Sequence, residues 1–240
     1  MYSKIETHFH TVASGHGYST ILEGIAYAKK YQMAGLAITD HGPQMPGGPH
    51  IWHFGNLSCI GREVDGIKII KGAEANILNY DGELDFPEEF IHKLDWVIAS
   101  YHVPCCKPAT VEEHTRGYLN VLQNPYVDVL GHSGNNDYVY DYERVILEAK
   151  RLNKVIEINN HSSKGRLGSS ERCPVIAALC KKHGVNIVVG TDAHFAPQIG
   201  VVDTAMKMLQ DIEFPQELIL NMDEARFFNY LNQRKNHHSY

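Results

Sequence analysis

The sequence predicts an α/β fold built on a parallel sheet, on two observations. Seven short apolar runs rich in β-branched residues begin near Ile5, Leu36, Ile67, Trp96, Val127, Val155 and Val185. That composition suits strands buried on both faces. Helical patterns lie between most of these runs, and strand–helix alternation implies parallel strands joined by crossovers. The clearest strands cover 35–39, 96–99 and 185–189. The first helix starts at Thr20 and Glu23, a capping box followed by Ala26, Tyr27 and Tyr31 at helical spacing. Thr110 and Glu113 repeat the signature ahead of Tyr118, Leu119 and Leu122. Asp141 caps a helix carrying Val145, Ile146, Ala149 and Leu152, and Gly184 stops another carrying Val175, Ile176 and Leu179. Segments 42–55 and 160–170 read as irregular, Trp52 and Phe54 as packing residues, and 233–240 as a frayed polar tail. With no linker or repeat, one domain over residues 1–240 is expected.

Composition narrows the function. A chain of this length buries roughly 70% of its surface, so it has a core without disulfides. The 22 Lys+Arg against 28 Asp+Glu give a formal charge of −6, which argues against nucleic acid or an anionic membrane as the main partner. Five cysteines with no C-x-x-C pair exclude a disulfide framework or a Cys-rich zinc site and suit reduced thiols in the cytoplasm. The N-terminus lacks the apolar stretch of a signal peptide, and no run is long enough for a membrane helix.

Fifteen histidines are the anomaly, and their placement is informative. Strand one ends in His8 and His10, with His16 in the next loop. Strand two ends Asp40-His41, strand three at Glu74, strand four at His102 and strand five at His132. Strand six leads into Asn159-Asn160-His161, and strand seven ends Asp192-Ala193-His194. His8 and His10 are two apart on a strand and share a face, as do Asp192 and His194. In a parallel barrel the C-terminal strand ends meet on one rim, so residues spread over the chain would form one cluster. Surplus surface histidines would not track strand ends, so a metal cluster is the expectation.

Together, His8-Phe9-His10, His16, Asp40-His41-Gly42, Glu74, His102, His132 and Asp192-Ala193-His194 resemble the polymerase and histidinol phosphatase (PHP) superfamily. Within it the chain is similar to the small YcdX-like phosphatases. The loop Gly42-Pro43 through Pro49-His50-Ile51-Trp52-His53-Phe54 is similar to that subgroup. The resemblance implies a distorted seven-stranded (β/α)7, TIM-like barrel and a trinuclear metal site. By it, His8, His10, Glu74 and Asp192 would hold one metal. Glu74, His102 and His132 would hold a second, with Glu74 bridging, and His16, His41 and His194 a third.

Imidazoles and carboxylates without thiolate suit zinc, with manganese or iron as alternatives. Three divalent ions against two carboxylates leave a positive pocket that favours a phosphate monoester dianion. The reaction expected is attack of a metal-activated water on phosphorus. Asp192 and His194 are the candidates for proton transfer to the leaving group, and Asp40 for orienting a ligand. Lys164, Arg166 and Ser169, after strand six, are candidate phosphate contacts. A nuclease or phosphodiesterase, a histidinol phosphatase, an amidohydrolase-like hydrolase and a non-catalytic metal-binding protein are the competing readings. The expected partner is a small phosphorylated substrate, with neither membrane nor nucleic acid, and a homo-oligomer is left open.

Overall fold

The computed structural model describes residues 2–162 and 167–236. Seven parallel strands curl into an α/β barrel: β1 (Ile5–Glu6), β2 (Gly35–Ile38), β4 (Ile67–Asn76), β5 (Trp96–Ser100), β6 (Val129–Leu130), β7 (Val155–Glu157) and β8 (Ile187–Val188), hydrogen-bonded in that order. A short strand absent from the sequence reading, β3 (Glu63–Val64), runs antiparallel to the start of β4. The order follows the chain, as right-handed crossovers between neighbouring parallel strands require.

The helices between strands carry the predicted caps. α1 (Ile21–Lys30) and α4 (Val111–Gln123) begin with complete capping boxes, Thr20 with Glu23 and Thr110 with Glu113. Asp141 caps α5 (Tyr142–Arg151), and Gly184, in the left-handed conformation, ends α6 (Ser169–His183). α7 (Asp203–Asp211) follows β8. The irregular 42–55 segment holds a short helix, α2 (Trp52–Asn56), and α3 (Glu88–Ile91) precedes β5. Trp52 departs from the packing role expected of it and is 71% exposed, whereas Phe54 is buried. Among the described residues no helix is long and apolar enough to cross a membrane, and all five cysteines are free.

Of the tail expected to be frayed from 233 to 240, residues 233–236 are helical, and 237–240 lie outside the described residues. The chain is helical from Glu224 to Asn236 in α8, and this helix plugs the barrel. Phe227, Tyr230 and Leu231 sit three and four residues apart, so they share a helix face. They pack with Leu220 against the inward side chains Ile5, Ala37, Ile70, Trp96, Ile98, Val129, Val155 and Val188. Arg234 anchors the end of α8 to Asp128 (3.0 Å) and to the carbonyls of Pro125 and Val127.

The barrel interior changes character along each strand. Inward residues recur every second position, and above the plug they turn polar. Ile70 leads to Gly72, Glu74 and Asn76; Trp96 and Ile98 lead to Ser100 and His102; Val155 leads to Glu157 and Asn159; Val188 leads to Gly190 and Asp192. The outward residues of the same strands, such as Leu36, Ile38, Ala73 and Val97, pack beneath the helices. The period of two therefore delivers the polar set to one end.

The seam between β1 and β8 is closed largely by side chains. Phe9 pairs with Ala193 at the rim, through His10 N–H to Ala193 O (2.9 Å) and Ala193 N–H to His8 O (3.2 Å). Below it, the Asn221 amide bonds both sides, accepting from Val189 N and donating to Ile5 O and Val189 O. The buried Glu6 carboxylate accepts from the backbone N–H groups of Thr7, His8, Thr191 and Gly200 and from the Thr191 hydroxyl.

Candidate metal centre

Glu74 is the centre of the polar end. It is fully buried near the end of β4, where its backbone pairs with the residues after β2. One carboxylate oxygen, Oε1, lies 2.8 Å from His132 Nε2 and 3.4 Å from His102 Nε2. The other, Oε2, lies 2.8 Å from His41 Nδ1 and 3.4 Å from both His8 Nε2 and His10 Nε2. Asp192 Oδ1 is 3.2 Å from His10 Nε2 and 3.6 Å from His8 Nε2 and His194 Nδ1. His8 Nε2 and His10 Nε2 are 3.1 Å apart.

Several rings are oriented from behind. His8 Nδ1–H donates to Glu157 Oε1 (2.7 Å), and a carboxylate acceptor places the proton on the imidazole. Gly190 makes this contact possible, because a Cβ there would lie 2.0 Å from Glu157 Oε1. The Ser14 hydroxyl donates to Asp40 Oδ1 (2.7 Å), so it accepts from His10 Nδ1–H (3.0 Å). Asn76 points its amide nitrogen at Asp85, so its oxygen accepts from His102 Nδ1–H (2.7 Å). His194 Nδ1–H donates to the Asp192 carbonyl (2.9 Å). Each of these bonds turns Nε2 toward the centre, where it offers a lone pair when the ring is neutral. Such fixing of tautomer and ring direction is how outer partners tune metal ligands.

The inward atoms are left without hydrogen-bond partners. His41 Nδ1, Glu74 Oε2, His102 Nε2 and His194 Nε2 are all buried in this state, although His41 Nδ1 and Glu74 Oε2 are neighbours. A buried polar atom without a partner costs about 1–3 kcal/mol, so several at one point mark a place completed by something else. Among the described residues, ligand atoms close enough to share an ion occur in three groups: His8, His10 and Glu74; His41, Glu74 and His102; and His10, His41 and His194. Nitrogen and oxygen donors with no thiolate fit zinc, manganese or iron.

The electrostatics agree. Burial alone would raise the Glu74 carboxyl, yet the surrounding imidazoles of His102, His8 and His41 hold it well below the usual carboxylate range. Burial likewise opposes charge on His8, but the carboxylates of Glu157, Glu74 and Asp192 raise it well above the ordinary value. Burial and the nearby His10 push His41 down to about 3 and His194 down to about 4. Imidazoles sharing too few negative charges divide in this way, and neutral ones are ready ligands.

Two residues of the cluster have left-handed backbone, His132 (φ 27°) and Asp192 (φ 54°). Positive φ is uncommon for residues other than glycine and concentrates at functional sites. At His132 the turn re-aims a strand-end side chain into the barrel. His16 is placed differently from the other histidines. It is exposed, with its ring 5.0 Å from His41 and 4.6 Å from His194, while His10 lies 4.3 Å from each. The rim beside it opens into a cleft of about 530 Å³ that includes Asp192 and His194.

The resemblance read from the strand-end motifs meets its test here. A PHP domain signature matches residues 6–161. The chain belongs to the PHP family. It is 46% identical over 231 residues to a protein of Acetivibrio thermocellus named "Probable phosphatase", covering 96% of each chain. A Clostridium novyi protein, likewise named a probable phosphatase, is 47% identical over 96% of this chain and 95% of its own. Among solved structures, the histidinol phosphate phosphatase of Lactococcus lactis, solved with zinc, L-histidinol and phosphate, has a TM-score of 0.62 at 18% identity. The match covers 89% of this chain and 95% of that one. A chain of archaeal ribonuclease P has a TM-score of 0.60 at 13% identity, covering 97% of this chain and 91% of that one. At these identities the two structures share the fold.

Other expected residues of this PHP chain fall as follows. Asp40 binds the Thr11 amide and hydroxyl, Ser14 and His53, and reaches His10 only through Ser14. Ser169, expected at the phosphate, is buried at the start of α6, with its hydroxyl directed to Gly134 O (3.3 Å). Lys164 and Arg166 lie outside the described residues. Glu157, Ser14, Asn76 and Asp85 are absent from the sequence reading. For Glu157 and Asn76 the one available signal is position, at a strand end and two residues from another inward group; Ser14 and Asp85 lie outside the strands and carry no such signal.

Proposed function

We propose that this PHP-family chain hydrolyses small phosphate monoesters at three divalent ions, probed first as zinc. The ions would be held by His8, His10, Glu74 and Asp192; by Glu74, His102 and His132; and by His16, His41 and His194. That the chain is a hydrolase of the phosphatase kind rests on its family and on relatives nearly half identical along its whole length. One observation supports the finer reading most: five imidazoles converge on the two oxygens of one buried carboxylate, and Glu74 Oε2, His41 Nδ1 and His102 Nε2 among them have no hydrogen-bond partner. The fold neighbour solved with zinc, L-histidinol and phosphate supports the same chemistry.

Divalent ions bound there would supply Lewis acidity and a water activated near neutral pH. The chain's own part is to prepare their places and to orient the ester. Glu157, Ser14 and Asn76 hold the rings of His8, His10 and His102 so that no reorganisation is needed. Glu74 supplies little negative charge for so many ligands, which favours a dianion over a neutral ester. Asp192 and His194 line the open cleft, and there a proton would be handled at the leaving oxygen. Lys164 and Arg166, which follow β7 in the sequence, complete the proposal as cationic contacts for the phosphate.

The test joins metal analysis to turnover of the same sample. A phosphate monoester should be hydrolysed, the activity should vanish on chelation, and zinc or manganese should restore it. Turnover of a phosphodiester alone would replace this reading with a nuclease.

A further inference from the structure

The cleft beside the cluster is larger than a phosphate group requires. Its volume of about 530 Å³ falls in the range of pockets for whole organic ligands. Two aromatic side chains face it, Tyr18 and Phe195, 76% and 51% exposed. Among the described residues neither ring contacts another ring. Other exposed rings do, as Tyr2 stacks on Tyr31 at 4.2 Å and Trp52 meets His50 at 5.2 Å.

The two segments that carry the rings are tied together beside the cluster by hydrogen bonds. Tyr18 N–H donates to the carbonyl of His194 (2.7 Å), and Phe195 is the next residue. Ala196 N–H donates to the Ser19 hydroxyl (2.9 Å), tying the two loops a second time. His161 and Gln198 line the same cleft and also a neighbouring cavity of about 340 Å³.

We propose that Tyr18 and Phe195 receive the organic part of the substrate and that this part is a flat, unsaturated ring bearing polar substituents. The proposal rests on the phosphatase reading and names its substrate class. Aromatic faces offer large contact area, lose few rotamers on binding and favour another π-system by stacking. A saturated ring of equal size fills the same space without that preference. His161 and Gln198 would meet the polar substituents.

Two esters with equivalent leaving oxygens isolate the effect: 2-phenylethyl phosphate and 2-cyclohexylethyl phosphate. The zinc-loaded chain should favour the phenyl ester in kcat/KM by about tenfold, chiefly through KM. Tyr18→Leu and Phe195→Leu should each lower that ratio to about threefold, and the double variant should bring it near one. Tyr18→Phe should preserve it. Trp52→Ala, on another cavity of the rim, should leave it unchanged. The corresponding non-hydrolysable phosphonates should show the same preference in Kd by calorimetry. A ratio near one in the unmodified chain, or one that survives the double substitution, overturns the proposal. Failure to hydrolyse either ester, with the phosphonate preference intact, overturns the phosphatase reading and leaves the ring site standing.

Discussion

Both ends of the barrel bury charge, but they treat it in opposite ways. At the end closed by α8, the polar groups find their partners within the chain. Asp128 accepts from Val97 N–H and from Arg234, and Lys154 donates to the carbonyls of Asn124 and Val127. The apolar plug of Phe227, Tyr230 and Leu231 lies above them. At the other end, Glu74 Oε2, His41 Nδ1, His102 Nε2 and His194 Nε2 are as carefully placed, yet these atoms have no hydrogen-bond partner. Burial alone therefore does not mark a functional site. The distinguishing feature is burial with lone pairs aimed at a shared, unfilled point.

The comparison breaks hardest at Glu74. Glu74→Gln keeps the shape and removes the charge on which the histidines converge. It should lower monoester hydrolysis by at least about 100-fold and reduce the zinc retained per chain, since even outer partners of a metal commonly cost 10–100-fold. Unchanged metal content, read by elemental analysis, would remove Glu74 from its bridging place. At the opposite end, Phe227→Ala should cost about 3–5 kcal/mol of stability, a fall of roughly 10 °C in Tm. Zinc-loaded activity per folded molecule should remain. An equal loss of activity would show that the two ends are coupled.

The smallest effect is a slope. Burial and the neighbouring Arg234 bring Lys154 down to about 7, against about 10.4 in an unfolded chain. Between these values the unfolded chain binds a proton that the folded chain releases. The contribution of Lys154 to stability is therefore full above the unfolded value and declines as pH falls to about 7. The slope is at most about 1.4 kcal/mol per pH unit. Denaturant titrations at pH 7 and pH 8.5 should show stability rising more steeply in the parent chain than in Lys154→Met. Parallel curves would mean that Lys154 keeps its proton in the folded state.

Much of the fold was legible because burial on both faces leaves a simple record. The apolar runs located the starts of seven strands to within about two residues, and Thr20, Thr110, Asp141 and Gly184 act where their side chains or backbone freedom suggest. Histidines at strand ends were legible for the same reason, since a barrel converts end-of-strand position into spatial neighbourhood. Which imidazole faces which was not. Spacing does not show that His10 lies as near His41 and His194 as His16 does, or that His16 is exposed. Glu157 was hidden because one charge in Val155-Ile156-Glu157-Ile158 reads as an interruption of a strand. Its role depends on Gly190, a neighbour distant in sequence. The plug was missed because the polar end of α8 resembles a tail, while its signal is the stripe of Phe227, Tyr230 and Leu231.

The seam gives the cluster a second consequence. β1 and β8 meet through a single backbone pair at Phe9 and Ala193, supported by the side chains of Asn221 and Glu6. His8 and His10 belong to one lip of this seam, Asp192 and His194 to the other. An ion shared across the lips would act as a clasp on a zip only partly drawn. The amide hydrogens of His10 and Ala193 would then exchange with solvent more slowly in the loaded chain, so catalytic readiness and mechanical closure would be one event.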